Sequence, residues 1–273
     1  MKLKKKFKFS DGNQVWRIKI TASDKLLVET RDTEKMKAYF HSYGLIDGKK
    51  FFSDYLMPEP FWLGIEAIED DIIFFHRYAK PDMPGHRGIF AFDINTQEIL
   101  WENDLYSYLF IKNNSLYVFQ ERFEGRVFSI LDLRTGKVIE ELGNNFDKIN
   151  ELRDEAESSV DYSNYLFPER YYSTNNTLID TIISNKTKDV KINGSIDFVV
   201  NDNLLVFNFH QVGKGKELIN KLYVFDLEKA KEIFGDILNK SANAYAPDSF
   251  FVYKNLIILL KEKKEILILE IKE

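Results

Sequence analysis

Apolar and polar residues alternate along this chain in short runs, and turn signals separate the runs. Residues 63–104 show the pattern most clearly, in four runs of four to seven residues. These runs are Leu63–Ile68, Ile72–Tyr78, Ile89–Asp93 and Glu98–Trp101. Their length and spacing predict four β-strands. The intervening segment Lys80–Gly88 holds two prolines and two glycines, so it predicts a loop.

The same four-strand layout recurs along the chain. Similar groups of runs occupy residues 14–55, 108–140 and 195–238, whereas residues 250–271 hold only three runs. Because an absent outer strand leaves an exposed sheet edge, we expect the N-terminal segment Lys2–Phe9 to pair with the last group. The alternative is that this basic segment is a frayed terminus.

An aspartate lies at the end of the third run in several groups. The spacing between these aspartates gives the length of the repeat. Asp93 and Asp132 are 39 positions apart, but Asp132 and Asp226 are 94 positions apart. One divergent unit should therefore lie in the longer interval, since repeats of this kind span about 40–50 residues. Two apolar runs, Leu178–Ile183 and Val190–Ile192, are its predicted strands.

A short helical insertion is expected in the same interval, at about residues 145–160. Asn145 can cap it, and apolar residues at helical spacing follow. The fold class predicted from these patterns is all-β: a β-propeller of six four-stranded blades, or seven if residues 143–194 hold two. We predict a single domain over residues 1–273.

One of the aspartate turns matches a known motif. The segment Ala91-x-Asp93-x-x-Thr96-Gln97-x-x-x-Trp101 resembles the tryptophan-docking motif of quinoprotein-type propellers, with Gln97 in place of a glycine. Weaker copies lie at Asp132 and Asp226. The resemblance implies a propeller in which the tryptophan packs against a neighbouring blade, and it does not make the motif itself a quinone site. The chain also resembles an uncharacterised family of small bacterial propellers.

Composition excludes several classes of function. The net charge of −5, from 38 basic and 43 acidic residues, gives no bulk attraction to nucleic acid or to an anionic membrane. The absence of cysteine excludes disulfides, thiol nucleophiles and cysteine-ligated metals. The longest apolar run, Leu256–Leu260, is far shorter than the ~20 residues of a membrane helix. We therefore expect a cytoplasmic protein.

The segment between residues 78 and 88 is the most unusual local sequence. A proline-rich loop could present Asp82, His86 and Arg87 to a ligand or partner, with His76 on the strand that leads into it. Trp62 follows another proline-rich stretch and could anchor a partner. The alternative is that the prolines stiffen a connection and that Trp62 packs in the core.

No cofactor or metal site is predicted. The four histidines, at positions 41, 76, 86 and 210, have no short ligand-type spacing, although imidazoles from 76 and 86 with the Asp82 carboxylate are of a type that suits zinc or manganese. Gly194-Ser195 lacks the flanks of a nucleophile elbow.

These observations favour a non-catalytic interaction or scaffold module that holds a protein or small-molecule partner on a propeller face. The alternative is a hydrolase or lyase that acts on a polar substrate such as a glycan. Its candidate acids would be Asp82, Glu102 and Glu121, assisted by His86. A third interpretation is a degenerate quinoprotein relative that binds a cofactor without turnover.

Overall fold

The computed structural model of the protein describes residues 1–80 and 83–272. The chain divides into two compact units, one of residues 14–160 and one of residues 1–13 with 161–273. In the described residues, no helix is both long enough and apolar enough to cross a membrane.

The chain begins with strand β1 (Lys2–Phe9), and three antiparallel four-stranded sheets then form the unit of residues 14–160. The first sheet contains β2 (Gln14–Ile20), β3 (Lys25–Asp32), β4 (Lys37–Gly44) and β5 (Lys50–Tyr55). The second contains β6 (Leu63–Glu69), β7 (Ile72–Lys80), β8 (Met83–Asp93) and β9 (Glu98–Asn103). The third contains β10 (Ser107–Lys112), β11 (Ser115–Arg122), β12 (Gly125–Asp132) and β13 (Val138–Gly143), and helix α1 (Phe146–Ser158) follows it.

The other unit holds two five-stranded sheets. Its elements are β14 (Tyr165–Leu166), β15 (Glu169–Arg170), α2 (Thr177–Thr187), β16 (Ile192–Asn201), β17 (Leu204–Val212), β18 (Leu218–Asp226), β19 (Lys231–Ala242), β20 (Phe250–Tyr253), β21 (Leu256–Lys261) and β22 (Glu265–Lys272). One sheet has the order β15-β16-β17-β18-β19 and the other the order β1-β22-β21-β20-β14. Sheets whose consecutive strands pair in this way are the blades of β-propellers, so the fold class is all-β and of the propeller type.

The repeated aspartates close the turns after the third strands. Asp93 Oδ1 accepts the backbone N–H groups of Asn95 at 2.7 Å and Thr96 at 3.1 Å. Asp132 Oδ1 accepts the N–H of Thr135 at 2.8 Å and its hydroxyl at 2.7 Å. The repeat seen in the sequence is therefore a structural device that caps a tight turn.

Neighbouring sheets of the 14–160 unit pack through aromatic residues. Phe40 of the first sheet meets Phe75 of the second edge to face, with ring centroids 5.0 Å apart. Trp101 of the second sheet donates its indole N–H to the Leu133 carbonyl, just after the third sheet's β12, at 2.8 Å. Trp101 thus links two sheets, as the resemblance implied.

The N-terminal strand pairs with the last strand, as predicted. β1 and β22 are antiparallel, from Lys2 opposite Lys272 to Phe9 opposite Ile266. The pairing covers an edge of β22 that would otherwise expose backbone hydrogen-bonding groups.

The interval after β13 agrees with the prediction at its start and differs from it further along. Helix α1 begins after Asn145, whose side chain accepts the N–H of Lys148 at 3.1 Å, so the predicted cap is confirmed. The predicted strand Leu178–Ile183 is wrong, because it lies in α2, and of the predicted strand Val190–Ile192 only Ile192 belongs to a strand, as the first residue of β16.

The β-branched residues of α2 are typical of strands, but Ile179, Ile182 and Ile183 fall on one helical face and are buried. The described residues form five sheets instead of the six predicted, because this interval forms helices and two short strands that join neighbouring sheets.

Candidate functional site

The β7–β8 hairpin is longer than the sequence pattern predicts. β7 continues to Lys80 and β8 begins at Met83, so most of the predicted loop Lys80–Gly88 belongs to a strand. The prediction of a loop over this whole segment was wrong. The ladder contains two register shifts, and irregularities of this kind accommodate residues that cannot join a regular ladder. In the extended part, Tyr78 lies opposite His86.

Glu66 occupies a β-bulge of the neighbouring strand β6. Ile65 and Ala67 pair with consecutive residues of β7, which leaves Glu66 without a ladder partner. Bulges re-aim side chains, and they are frequent beside functional sites. Sequence reasoning missed Glu66, because a glutamate between apolar residues of a strand looks like an ordinary solvent-facing position.

Glu66, His76 and His86 form one cluster on the second sheet. Glu66 Oε1 lies 2.6 Å from His86 Nδ1 and 2.9 Å from His76 Nδ1. The two imidazole rings are stacked, with centroids 3.4 Å apart and planes 9° apart. His76 is only 3% exposed, whereas the His86 side chain is 43% exposed. The cluster therefore has a buried end at His76 and a solvent-accessible end at His86. We call these three residues the Glu–His cluster.

The backbone leaves room for the buried ring. Gly64 lies opposite His76 in the β6–β7 ladder. A Cβ atom at position 64 would lie 2.7 Å from His76 Cε1, which is closer than real Cβ contacts. A side chain at position 64 would therefore displace the imidazole.

The pKa of Glu66 depends on the two neighbouring imidazoles. Burial acts to raise the pKa of Glu66, but the two adjacent imidazoles outweigh it and hold that pKa below its usual value. Burial, together with the charges of Glu66 and Glu69, raises the pKa of Tyr108 to about 12. The region therefore holds an ionised carboxylate beside a neutral phenol at neutral pH.

The structure brings together part of the predicted site. His76 and His86 are in contact, and Tyr78 packs edge to face against His76 at 5.1 Å and against Trp62 at 6.3 Å. Trp62 is half-buried in this packing. Arg87 is exposed and lies opposite Arg77 in the ladder. Asp82 lies outside the described residues.

The other candidate acids form ion pairs on separate sheets. Glu102 accepts from Arg77 Nη2 at 2.8 Å on the second sheet. Glu121 accepts from Arg126 Nε at 2.7 Å on the third sheet.

A second candidate site lies in the other unit, and no sequence pattern pointed to it. A cavity of about 280 Å³ is lined by Arg170, Ser195, Asp197, Asn208, Tyr245 and Ser249, among others. Ser195 donates its hydroxyl to Asp197 Oδ1 at 2.8 Å and lies 3.0 Å from the Tyr245 hydroxyl. The Tyr245 hydroxyl also donates to Asp197 Oδ2. We call this cavity the Tyr245 pocket.

Buried amides form the floor of the Tyr245 pocket. Asn208 is 2% exposed and donates its amide to Asn220 Oδ1 at 2.9 Å. Asn220 in turn donates to Ser249 Oγ at 2.8 Å and to Asn239 Oδ1 at 3.3 Å. The Asn208 Oδ1 atom has no hydrogen-bond partner in the part of the chain that the structure describes. A buried carbonyl in this state is an unsatisfied acceptor, and Asn208 is one of the residues that line the pocket.

His210 lies behind the tyrosine. Its ring centroid is 4.4 Å from that of Tyr245, and its Nε2 accepts the N–H of Ala246 at 3.2 Å. Burial lowers the pKa of His210, although the charge of Asp197 acts in the opposite direction. This histidine is therefore held in its neutral form.

The Tyr245 pocket also depends on a bulge and a glycine. The β16–β17 ladder skips Gly194 and Ser195 between Asn193 and Ile196. Gly194 has φ +83°, and a Cβ atom there would lie 2.9 Å from Tyr245 Cδ2. The pocket residues come from segments up to 82 positions apart, from Pro168 to Phe250, which explains why no local pattern revealed it.

The comparisons with known proteins identify no function. A family model described as a domain of unknown function (DUF4905) matches residues 20–101, which is less than half of the chain. That segment includes Glu66, His76 and His86. No curated protein matches the sequence.

Among solved structures, a europium-containing methanol dehydrogenase is similar to this chain. The sequences are 10% identical, the TM-score is 0.31, and the match covers 96% of this chain and 52% of that protein. The chain thus spans about half the length of that enzyme. A similarity this low carries no argument about function.

Proposed function

We propose that the protein is a non-catalytic binding module of the propeller type, and that its ligand is a small hydroxyl-rich molecule held in the Tyr245 pocket. The observation that carries this proposal is the buried Asn208 Oδ1 atom. An unsatisfied buried acceptor costs about 1–3 kcal/mol, and a ligand O–H or N–H group in the pocket would satisfy it.

The other groups of the pocket complement a sugar. The Ser195 and Tyr245 hydroxyls can each exchange hydrogen bonds with a ligand hydroxyl, and the Tyr245 ring offers an apolar face. Arg170 adds a positive charge that suits an acidic sugar. The cavity of about 280 Å³ is just below the usual range of about 300–1,000 Å³ for ligand sites, which suits one monosaccharide unit or the end of a glycan.

The hydrolase or lyase interpretation has less support. Glycoside hydrolysis needs two carboxyl groups about 5–10 Å apart across a cleft. Glu102 and Glu121 are on different sheets and are each bound to an arginine. In the Tyr245 pocket the two acidic lining residues are Asp197 and Asp248, and Asp197 is already bound to the hydroxyls of Ser195 and Tyr245.

Thermal unfolding with a panel of neutral and acidic monosaccharides tests the proposal. A ligand present at 100 times its Kd stabilises the folded state by about 2.7 kcal/mol, which is readily measured as a rise in Tm. Tyr245→Phe removes one hydroxyl and keeps the ring, so we expect the affinity to fall about tenfold. Tyr162→Phe is the matched control, because Tyr162 is exposed in the same unit.

Two results would contradict the proposal. One is a panel in which no sugar raises Tm. The other is a stabilising sugar whose effect is the same in the wild type and in Tyr245→Phe. The ligand should also be recovered unchanged after incubation, as judged by its NMR spectrum; a changed sugar would favour the hydrolase or lyase interpretation.

A further inference from the structure

We propose that Glu66, His76 and His86 form a binding site for one divalent transition-metal ion, with Zn²⁺ as the best match. This site goes beyond the proposed function, because it belongs to the other unit and takes a different ligand.

The donor set is the first argument. Two imidazoles and one carboxylate suit Zn²⁺ and its first-row neighbours, whereas Mg²⁺ and Ca²⁺ prefer oxygen ligands alone. One ligand atom from each of the three residues lies within 4.8 Å of the others. Three protein ligands with a fourth, open position are the usual arrangement of an accessible zinc site.

The second argument is the state of His76. Although its Nδ1 lies 2.9 Å from Glu66 Oε1, neither ring nitrogen makes a hydrogen bond of acceptable geometry to any described residue. A polar ring that is 3% exposed and not hydrogen-bonded is destabilising. A metal ion bound to His76 Nδ1 would give that nitrogen a partner.

The geometry also shows how far the ligand atoms must separate when the ion binds. The ligand atoms of a tetrahedral zinc ion are about 3.4 Å apart, since Zn–N and Zn–O bonds are about 2.0–2.2 Å. The observed separations of 2.9 Å and 2.6 Å from Glu66 Oε1 must therefore lengthen by less than about 1 Å.

Stacked rings cannot share one ion, because each nitrogen lone pair lies in the plane of its own ring. His76 is fixed between Gly64 and Tyr78, so the exposed His86 ring is the one that rotates. Binding of the ion should therefore separate the two rings.

Metal titration of the protein without an affinity tag tests the site. We expect the wild type to bind one equivalent of Zn²⁺ at this site, measured by calorimetry, and to give the intense visible absorption of four-coordinate Co²⁺. Zn²⁺ should raise Tm, whereas Mg²⁺ should not. His86→Ala should lose that equivalent, with an affinity at least about 100-fold lower, because a direct ligand matters more than an outer-shell partner.

The variants separate binding from folding. The His86 side chain is 43% exposed, so His86→Ala should still fold, with only a small loss of Tm relative to the metal-free wild type from the lost contacts with Glu66 and His76. His210→Gln is the matched control in the other unit and should keep the equivalent. The proposal is overturned if the wild type binds no Zn²⁺, or if His86→Ala binds as many equivalents as tightly as the wild type. Sugar binding in the Tyr245 pocket is measured separately, so one proposal can fail without the other.

Discussion

The Glu–His cluster and the Tyr245 pocket use the same construction with different chemistry. One residue of each site lies on a central strand, His76 on β7 and Asn208 on β17. In both strands a buried phenylalanine immediately precedes that residue, Phe75 in β7 and Phe207 in β17. Each site is supplied by a β-bulge on the preceding strand, and a glycine makes room for a ring in each. A regular sheet therefore becomes a binding site where its regularity is interrupted.

The difference lies in charge and in sequence distance. The Glu–His cluster comes from residues 66–86 and consists of three titratable side chains in mutual contact. The Tyr245 pocket draws on residues 168–250, encloses about 280 Å³ and has an uncharged amide floor. A local hairpin can thus place ionisable groups in contact, whereas the Tyr245 pocket is assembled from segments of several elements.

The largest expected effect comes from replacing the buried phenylalanine that precedes each site residue. It tests whether the cores next to the two sites are equally well packed. Phe75 and Phe207 are both fully buried, and Phe75 stacks on Phe90 at 4.9 Å. Phe75→Ala and Phe207→Ala should each lower the free energy of unfolding by about 3–5 kcal/mol, because each leaves a cavity in a sheet face. Urea denaturation measures both. A loss of unfolding free energy below about 1 kcal/mol in either variant would contradict the claim that both sites lie beside an equally well-packed core residue.

The glycines should give a smaller effect that is specific to each site. Gly64→Ala and Gly194→Ala should each cost about 1–3 kcal/mol, the first by overpacking against His76 and the second by backbone strain and contact with Tyr245. The NMR signal of His76 should shift in Gly64→Ala and stay in place in Gly194→Ala. A His76 shift of equal size in both variants would contradict separate roles.

The pH dependence of stability should distinguish the two sites further. Because burial lowers the pKa of His210 in the folded state, the unfolded chain binds the proton more readily. The free energy of unfolding should therefore fall as the pH drops below about 6.5, the ordinary value for histidine. His210→Gln keeps an acceptor for Ala246 and should flatten this dependence between about pH 7 and pH 5. An unchanged slope would show that His210 is not the group responsible.

The smallest expected effects come from the surface ion pairs. Arg77 binds both Glu102 and Asp104, at 2.8 Å and 3.0 Å, whereas Arg126 binds Glu121 alone. Arg77→Ala should lower stability by about 0.5–1 kcal/mol and Arg126→Ala by less than about 0.5 kcal/mol. Added salt should reduce both losses. An effect of several kcal/mol for Arg77 would mean that it supports the Glu–His cluster directly.

Local patterns predicted the elements that depend on local physics. Period-two runs predicted the strands of the blade-like sheets, Asn145 predicted the start of α1, and the unpaired last group predicted the partner of β1. The strand predicted at Leu178–Ile183 failed because β-branched residues favour strands on average, while here the burial of one helical face decides. The histidines were found as candidates, but their contact with Glu66 was not.

The order of apolar and polar residues is enough to specify an all-β chain of blade-like sheets, because strand formation and aspartate-capped turns depend on neighbours within a few positions. The cross-strand register decided which side chains of the strands point toward the two sites. One unpaired residue at Glu66 and two at Gly194-Ser195 redirect the side chains, and such bulges depend on how two strands pair as a whole. Tertiary packing then brought Tyr245 and Asn208 to the same cavity, since residues far apart in the chain meet only when the sheets and their connections are assembled.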